Sequence, residues 1–277
     1  MQRRLSVLVV GTSGRVGRML RRAWHALPPE GLDLHFQARN SARARPGDVI
    51  WDPLSGAAPA GRFDRVVSLA GVVPGPEADL SLNVPLGLAC VRAARTVGAA
   101  HVLLASSQAV YGTGLTRPWR EDDPTAPETA YGIAKLEMER ACAGVGVTAL
   151  RIGNVAGADA LLLNVAKRQP MHLHRFSDGG GPVRSYIGPV DLARVLADLL
   201  RANNLSGALN VAAPVPVTMQ ALLEAGSTPF EWVAAPADAV QDITLECSAL
   251  TAFHRFDKEA SCPRAMLAQW DAVKDPV

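Results

Sequence analysis

Short runs in which nearly every position is apolar alternate along this chain with longer stretches whose apolar residues recur at helical spacing. The runs at residues 5–10, 34–38, 49–51, 66–70, 101–105 and 148–152 are strand-length and apolar on both faces. That pattern predicts strands buried on each side within a parallel sheet. Between them the spacing predicts helices at 16–27, stopped by Pro28-Pro29; at 85–97, stopped by Gly98; and at 130–142, stopped by Gly144 and Gly146. Strands alternating with helices give an α/β class, a Rossmann-type doubly wound parallel sheet with helices on both faces.

The rhythm changes after residue 151, where elements shorten and turn residues cluster at Asp178-Gly-Gly-Gly-Pro182 and Ala212-Ala-Pro-Val-Pro216. A helix at 190–201 and a strand at 208–211 read as a return to the main sheet. The expected division is a dinucleotide-binding domain at 1–157 and a small, mainly substrate-binding lobe at 158–277, with 186–211 returning to the first domain. In such a sheet the ligand crevice lies at the carboxyl ends of the strands.

Composition narrows the function class more than the fold. A hydrophobic fraction of 48% with 19% charged residues describes an ordinary globular chain, and a formal net charge of +2 gives no general electrostatic reason to expect a nucleic-acid partner. No stretch reaches the ~18 consecutive apolar residues of a membrane span, so no membrane partner is expected. Four cysteines without CxxC spacing suit a reducing compartment, with the cytoplasm as the expected location. His172 and His174 would share one side of a strand, but no third ligand is evident and no metal is expected.

The first chemical motif is Gly11-Thr-Ser-Gly-Arg-Val-Gly17, directly after the first strand. Gly11 permits a tight turn, Gly14 lets backbone approach a pyrophosphate, and Gly17 lets the helix pack close to the strand. The helix amino end then offers free N–H groups to phosphate. Gly11, Ser13, Gly14, Arg15, Val16 and Gly17 are therefore the expected cradle of an NAD(P) cofactor. About 20 residues on, the second strand ends with no carboxylate to hold a ribose 2′-hydroxyl, and Arg39 is available for a 2′-phosphate, with Arg15 as a second nearby cation. That arrangement leans toward NADP.

The second motif is Tyr131 and Lys135, one helical turn apart on a predicted helix, downstream of a strand that leads to Ser107. A neighbouring ammonium is expected to lower the tyrosine pKa from its ordinary ~10 toward neutrality, suiting the phenol to proton transfer. The lysine is also placed to hold the cofactor ribose. Ser107 is expected to hydrogen-bond the substrate oxygen being oxidised or reduced. A cofactor-binding regulator without chemistry needs only the glycine loop, so the added tyrosine, lysine and serine favour an enzyme.

These segments, in this order, resemble the extended short-chain dehydrogenase/reductases, the group that includes NAD-dependent epimerases and dehydratases of nucleotide sugars. The resemblance runs from Gly11 to about Val211. Beyond the two motifs, it rests on Ser68-Leu-Ala-Gly71, Asn83, Ala105-Ser-Ser-Gln-Ala-Val-Tyr-Gly112, residues 121–127, Leu150-Arg-Ile-Gly-Asn154 and Arg184-Ser-Tyr-Ile-Gly-Pro-Val-Asp-Leu-Ala193. It implies a catalytic triad of Ser107, Tyr131 and Lys135, with Asp52 near the adenine and Ala70 lining the cofactor channel. Asn154 and Arg184 fall where such enzymes contact the sugar or its diphosphate. Sugar dehydratases carry an acidic pair where this chain has Gln108-Ala109, which argues against dehydration. The implied activity is Tyr-assisted hydride transfer on a sugar or nucleotide-sugar hydroxyl or ketone, with a dehydrogenase of small sugar acids or ketones as the alternative. The helices at 85–97 and 130–142 either join a homodimer contact or pack on the chain's own sheet.

Overall fold

The computed structural model describes residues 3–275; the outermost two positions at each end of the expected domain ranges lie outside it. In chain order the first half contains β1 (Leu5–Val10), α1 (Arg15–Ala26), β2 (Leu32–Ala38), β3 (Val49–Ile50), β4 (Arg65–Ser68), α2 (Asn83–Val97), β5 (His101–Ser107), α3 (Ala130–Cys142) and β6 (Val147–Ile152). Then follow β7 (Asn154–Val155), α4 (Ala160–Ala166), β8 (His172–Arg175), β9 (Val183–Arg184), β10 (Tyr186–Ile187), α5 (Pro189–Arg201) and β11 (Gly207–Val211). Last come β12 (Val217–Thr218), α6 (Met219–Ala225), β13 (Glu231–Ala234), β14 (Asp242–Ile243) and α7 (Pro263–Val273).

Seven strands form one sheet in the order β11-β6-β5-β4-β1-β2-β3, and every pairing within it is parallel. The apolar-on-both-faces pattern has a direct packing cause. Along β1, Val7 and Val9 face a core shared with α1 and α5, including Leu20, Trp24, Leu196 and Leu200. Leu8 and Val10 face the opposite core, built with Cys90 and Val91 of α2 and Met138 of α3. Each face therefore removes a period-two set of side chains from water, and truncating one such leucine to alanine costs about 2–5 kcal/mol.

Because all strands run the same way, their carboxyl ends form one edge. Sequence order reverses there between β1 and β4, the neighbours that open a crevice in doubly wound sheets. Beyond β6 lie a three-stranded sheet, β12-β9-β14, and two strand pairs, β10-β7 and β13-β8. They pack around a separate core that includes Leu161, Leu173, Leu222 and Met266. Among the described residues no helix is long and apolar enough to cross a membrane.

Candidate active site

Two cavities lie along the carboxyl edge of the sheet. One, of about 230 Å³, is lined by Val16 and Leu69 on one side and by Ser107, Tyr131, Lys135 and Asn154 on the other. The second, of about 300 Å³, shares Thr12 and Ser13 with the turn after β1 and extends over the tip of β2.

Packing at the start of α3 brings Ser107 and Tyr131 together. The Thr129 hydroxyl accepts the Gly132 N–H at 3.1 Å and caps the helix. A Cβ on Gly132 would stand 2.2 Å from the Ala109 carbonyl oxygen, so glycine lets α3 press directly onto the turn that follows β5. Ser107 ends β5 and accepts the Ala109 N–H at 3.2 Å, and it lines the same cavity as Tyr131. The Lys135 ammonium is buried, donates to the Ala105 carbonyl at 2.9 Å, and lies 5.9 Å from the centre of the Tyr131 ring.

The electrostatics correct one expectation. Burial raises the Tyr131 pKa above its ordinary value, with only the nearby Ser107 hydroxyl opposing it. The ammonium is drawn to the Ala105 carbonyl rather than to the phenol oxygen, so the expected lowering is not found. Burial also pushes Lys135 down, from 10.5 to about 8, against the opposing charge of Glu139. At neutral pH the tyrosine is therefore protonated, and the lysine is close to its titration range.

Beneath this pair lies a polar frame that the sequence reading passed over. Glu139 is a further helical turn along α3 from Lys135 and takes a hydrogen bond from Ser106. It also forms a two-pronged ion pair with Arg151 of β6, at 2.9 Å for the closest contact, both side chains being buried. Arg151 donates to the Tyr111 hydroxyl at 3.0 Å, and that hydroxyl donates to Asn210 of β11 at 2.7 Å. Glu139 had a signal in its helical spacing from Lys135; Asn210, on a distant strand, had none.

The glycine loop closes tightly on its own backbone. Gly11 adopts φ +82°, and a Cβ there would sit 2.4 Å from the Ala70 amide nitrogen, which places Ala70 directly against the turn. At Gly17 a Cβ would meet the Gly11 carbonyl at 2.4 Å, whereas Gly14 has a looser 3.3 Å. No side chain caps the amino end of α1, which leaves its first-turn amides available to an anion.

Other expected residues land differently. Asn154 lines the first cavity and accepts a hydrogen bond from Gln108 at 2.9 Å. Arg39 lines the second. Arg15 does not join it there, because its guanidinium reaches the Ala158 carbonyl at 2.8 Å. The Asp52 carboxylate caps the turn at Pro53–Ser55 by accepting the Leu54 N–H at 3.0 Å, and it lines neither cavity. Arg184 lines neither cavity. Its guanidinium donates to the carbonyls of Val183, Gln241 and Val240 at 2.7, 2.5 and 3.2 Å, so these donors hold the β9–β14 junction. Two buried acceptors, Gln108 Oε1 and Asp159 Oδ1, have no partner among the described residues; Gln108 holds Asn154, and Asp159 lines the cleft.

Comparison with known proteins adds a family to this geometry. Residues 7–212 match the model of the NAD dependent epimerase/dehydratase family. The chain is 31% identical over 240 residues to a UDP-glucose 4-epimerase of Corynebacterium glutamicum, covering 72% of each protein. In structure it is similar to the Bordetella bronchiseptica enzyme WbmG in complex with NAD and UDP, with TM-score 0.73 at 20% identity over 97% of this chain and 95% of the other. It is likewise similar to MoeE5 in complex with UDP-glucuronic acid and NAD, with TM-score 0.74 at 21% identity over 96% and 98% of the two chains.

Proposed function

This chain belongs to the NAD dependent epimerase/dehydratase family, and we propose that within it the chain is an NAD(P)-dependent oxidoreductase or epimerase. Its target is a hydroxyl or ketone of a sugar or nucleotide sugar, and its acid/base group is Tyr131. The observation that carries this reading is the convergence of Ser107, Tyr131 and Lys135 on one cleft that also contains Val16 of the glycine loop's helix.

A dinucleotide fits the residues present, because Gly11 and Gly17 let the turn close tightly against Ala70 and the start of α1, and the uncapped amino end of that helix offers its amides to phosphate. When bound, it supplies or accepts hydride at the nicotinamide. Ser13, Gly14, Arg15 and Val16 complete the cradle, Ala70 borders the channel, and Asp52 belongs to the adenine end of this reading. Arg39 at the tip of β2 favours NADP.

In the reducing direction Tyr131, kept protonated by its burial, gives its proton to the substrate oxygen, while Ser107 donates a second hydrogen bond to that oxygen. Lys135 keeps positive charge beside the phenol as it turns to phenolate and holds the cofactor ribose. In the oxidising direction the same groups return the proton. Asn154 and the unpartnered acceptors of Gln108 and Asp159 suit a substrate rich in hydroxyl donors. Gln108 and Ala109 supply no acid/base pair, so dehydration is not part of the proposal. The reading includes a cytoplasmic location and a homodimer contact through α2 and α3.

One observation favours a smaller substrate. Arg184 has its guanidinium bound to main-chain carbonyls, which supports a dehydrogenase or reductase of small sugar acids or ketones over recognition of a whole sugar diphosphate. Assays of the purified protein with NADH and NADPH across UDP-sugars, sugar acids and ketones separate the two. Turnover is expected with at least one of these substrates and should be lost in Tyr131→Phe. Full turnover by that variant would remove the acid/base assignment.

A further inference from the structure

The cavity over the tip of β2 concentrates charge in a way the whole chain does not. Its lining includes Arg18, Arg21, Arg22, Arg39, Arg43 and Arg45 against a single carboxylate, Asp48, in a protein whose formal net charge is only +2. Three of the six are already engaged. Arg21 grips Asp48 with two hydrogen bonds at 3.0 and 2.8 Å, and Arg18 and Arg22 reach Asp275 at 3.1 and 2.6 Å. The guanidinium groups of Arg39, Arg43 and Arg45 have no acidic partner among the described residues.

The surrounding structure fixes what such a site would hold. Thr12 and Ser13 of the glycine loop form part of the same wall, so a dinucleotide with its phosphates on that loop extends its adenosine ribose into this cavity. The amide and the carboxylate of the lining, on Gln37 and Asp48, are already engaged. Gln37 is buried and bonded to the Gly11 amide at 3.1 Å and the Trp51 carbonyl at 2.6 Å, and Asp48 is held by Arg21. Asp48 also accepts the Arg45 backbone N–H at 2.9 Å, which ties the arginine-bearing loop to α1.

We propose that Arg39, Arg43 and Arg45 clamp the 2′-phosphate of the dinucleotide, and that this chain draws NADPH from solution as an exchangeable co-substrate for a net reduction. The inference rests on the cofactor reading of the glycine loop and deepens it, adding two residues and a reaction type. A guanidinium fork matches a phosphate in shape and charge. The 2′-phosphate is remote from the reacting carbon, so gripping it adds selectivity of binding and nothing to the chemical step. Such selectivity matters when the protein repeatedly chooses its cofactor from a mixed pool. In the step itself the substrate carbonyl carbon gains hydride from NADPH and its oxygen gains the Tyr131 proton. A secondary alcohol and NADP⁺ then leave, and Tyr131 recovers a proton from water.

Calorimetric titration of the purified chain with NADPH and NADH at low salt tests the clamp by binding alone, so it can fail while the Tyr131 chemistry stands. NADPH is expected to bind at least about tenfold more tightly, with the advantage shrinking as salt screens exposed charge. The double variant Arg43→Ala/Arg45→Ala should bring the two affinities together by weakening NADPH, and Arg43→Lys/Arg45→Lys should keep part of the difference. Competition by 2′,5′-ADP that exceeds both 5′-ADP and inorganic phosphate would support a dinucleotide clamp over a general phosphate site. Equal affinity for the two cofactors, displacement by free phosphate as effective as by 2′,5′-ADP, or NAD(H) that stays bound through dialysis would overturn the proposal. Binding of neither dinucleotide would remove the cofactor reading itself.

Discussion

The two ends of the carboxyl edge are built on opposite principles. At the end proposed for the reaction, Tyr131, Lys135 and Ser107 stand on a helix and a strand, and Lys135 has a solvent exposure of only 4%. At the β2 tip, Arg39, Arg43 and Arg45 are exposed and lie on a segment whose only regular element is the short turn Ser41–Arg43. Acid/base chemistry needs a fixed geometry and a shifted pKa, and burial against regular elements provides both. Selecting an anion needs net charge near a rim, which a loop provides without disturbing the core.

The largest expected effect breaks the reaction end while sparing the fold. Tyr131→Phe removes one hydroxyl from the cleft and is expected to lower kcat by about 10²–10⁴, the usual worth of a positioned acid/base group, with cofactor affinity retained. Single-turnover kinetics beside a binding titration checks both halves of that statement.

Next comes the frame under the reaction end. Glu139→Leu leaves the Arg151 charge buried without its carboxylate, a change expected to cost about 3–5 kcal/mol of stability. Urea unfolding should show the loss as a lower midpoint. A midpoint within error of the parent would mean that the ion pair is not a structural support of α3.

A smaller effect carries a pH signature. Lys135 has a folded pKa near 8 against 10.5 in its ordinary state, so the folded protein binds fewer protons between those values. The cost of holding this buried charge is present in full below about pH 8 and fades as pH rises toward 10.5. Lys135→Met should therefore gain thermal stability relative to the parent at pH 7, offset by the donor lost to the Ala105 carbonyl, about 1 kcal/mol. The gain should shrink at pH 9–10. A difference in melting temperature that is flat with pH would contradict burial as the cause of the shift.

The same contrast governs how much was legible in the sequence. The sheet was readable because its strands are apolar on both faces, although β5 runs two residues beyond the expected end and makes Ser107 its last residue. Tyr131 and Lys135 were readable from helical spacing, and the glycine loop from its position after β1. A second lobe was expected from the change of rhythm, but its strands β9, β10 and β12 were not readable, because they are only two residues long and too short to show a period. The contacts of Arg184 were hidden for that reason: its partners at Val240 and Gln241 come from a segment more than 50 residues away, with no local signal. Arg43 and Arg45 stood in a loop without periodicity, so only the fold shows that they share a wall with the glycine turn.

Arg15 gives the finest test of the division between the two ends. It belongs to the glycine loop by sequence, yet its guanidinium bonds the Ala158 carbonyl at 2.8 Å, at a residue that lines the reaction-end cleft. If selectivity resides in the β2 cavity, Arg15→Ala should weaken NADPH and NADH by the same small factor. About two- to threefold is appropriate for one exposed hydrogen bond at the low end of 0.5–1.5 kcal/mol. The ratio of the two affinities, measured by titration at fixed salt, should not move. A selective loss of NADPH affinity would show that the guanidinium swings to the 2′-phosphate once cofactor binds, and the boundary between a cationic selecting end and a buried reacting end would have to be drawn through the glycine loop itself.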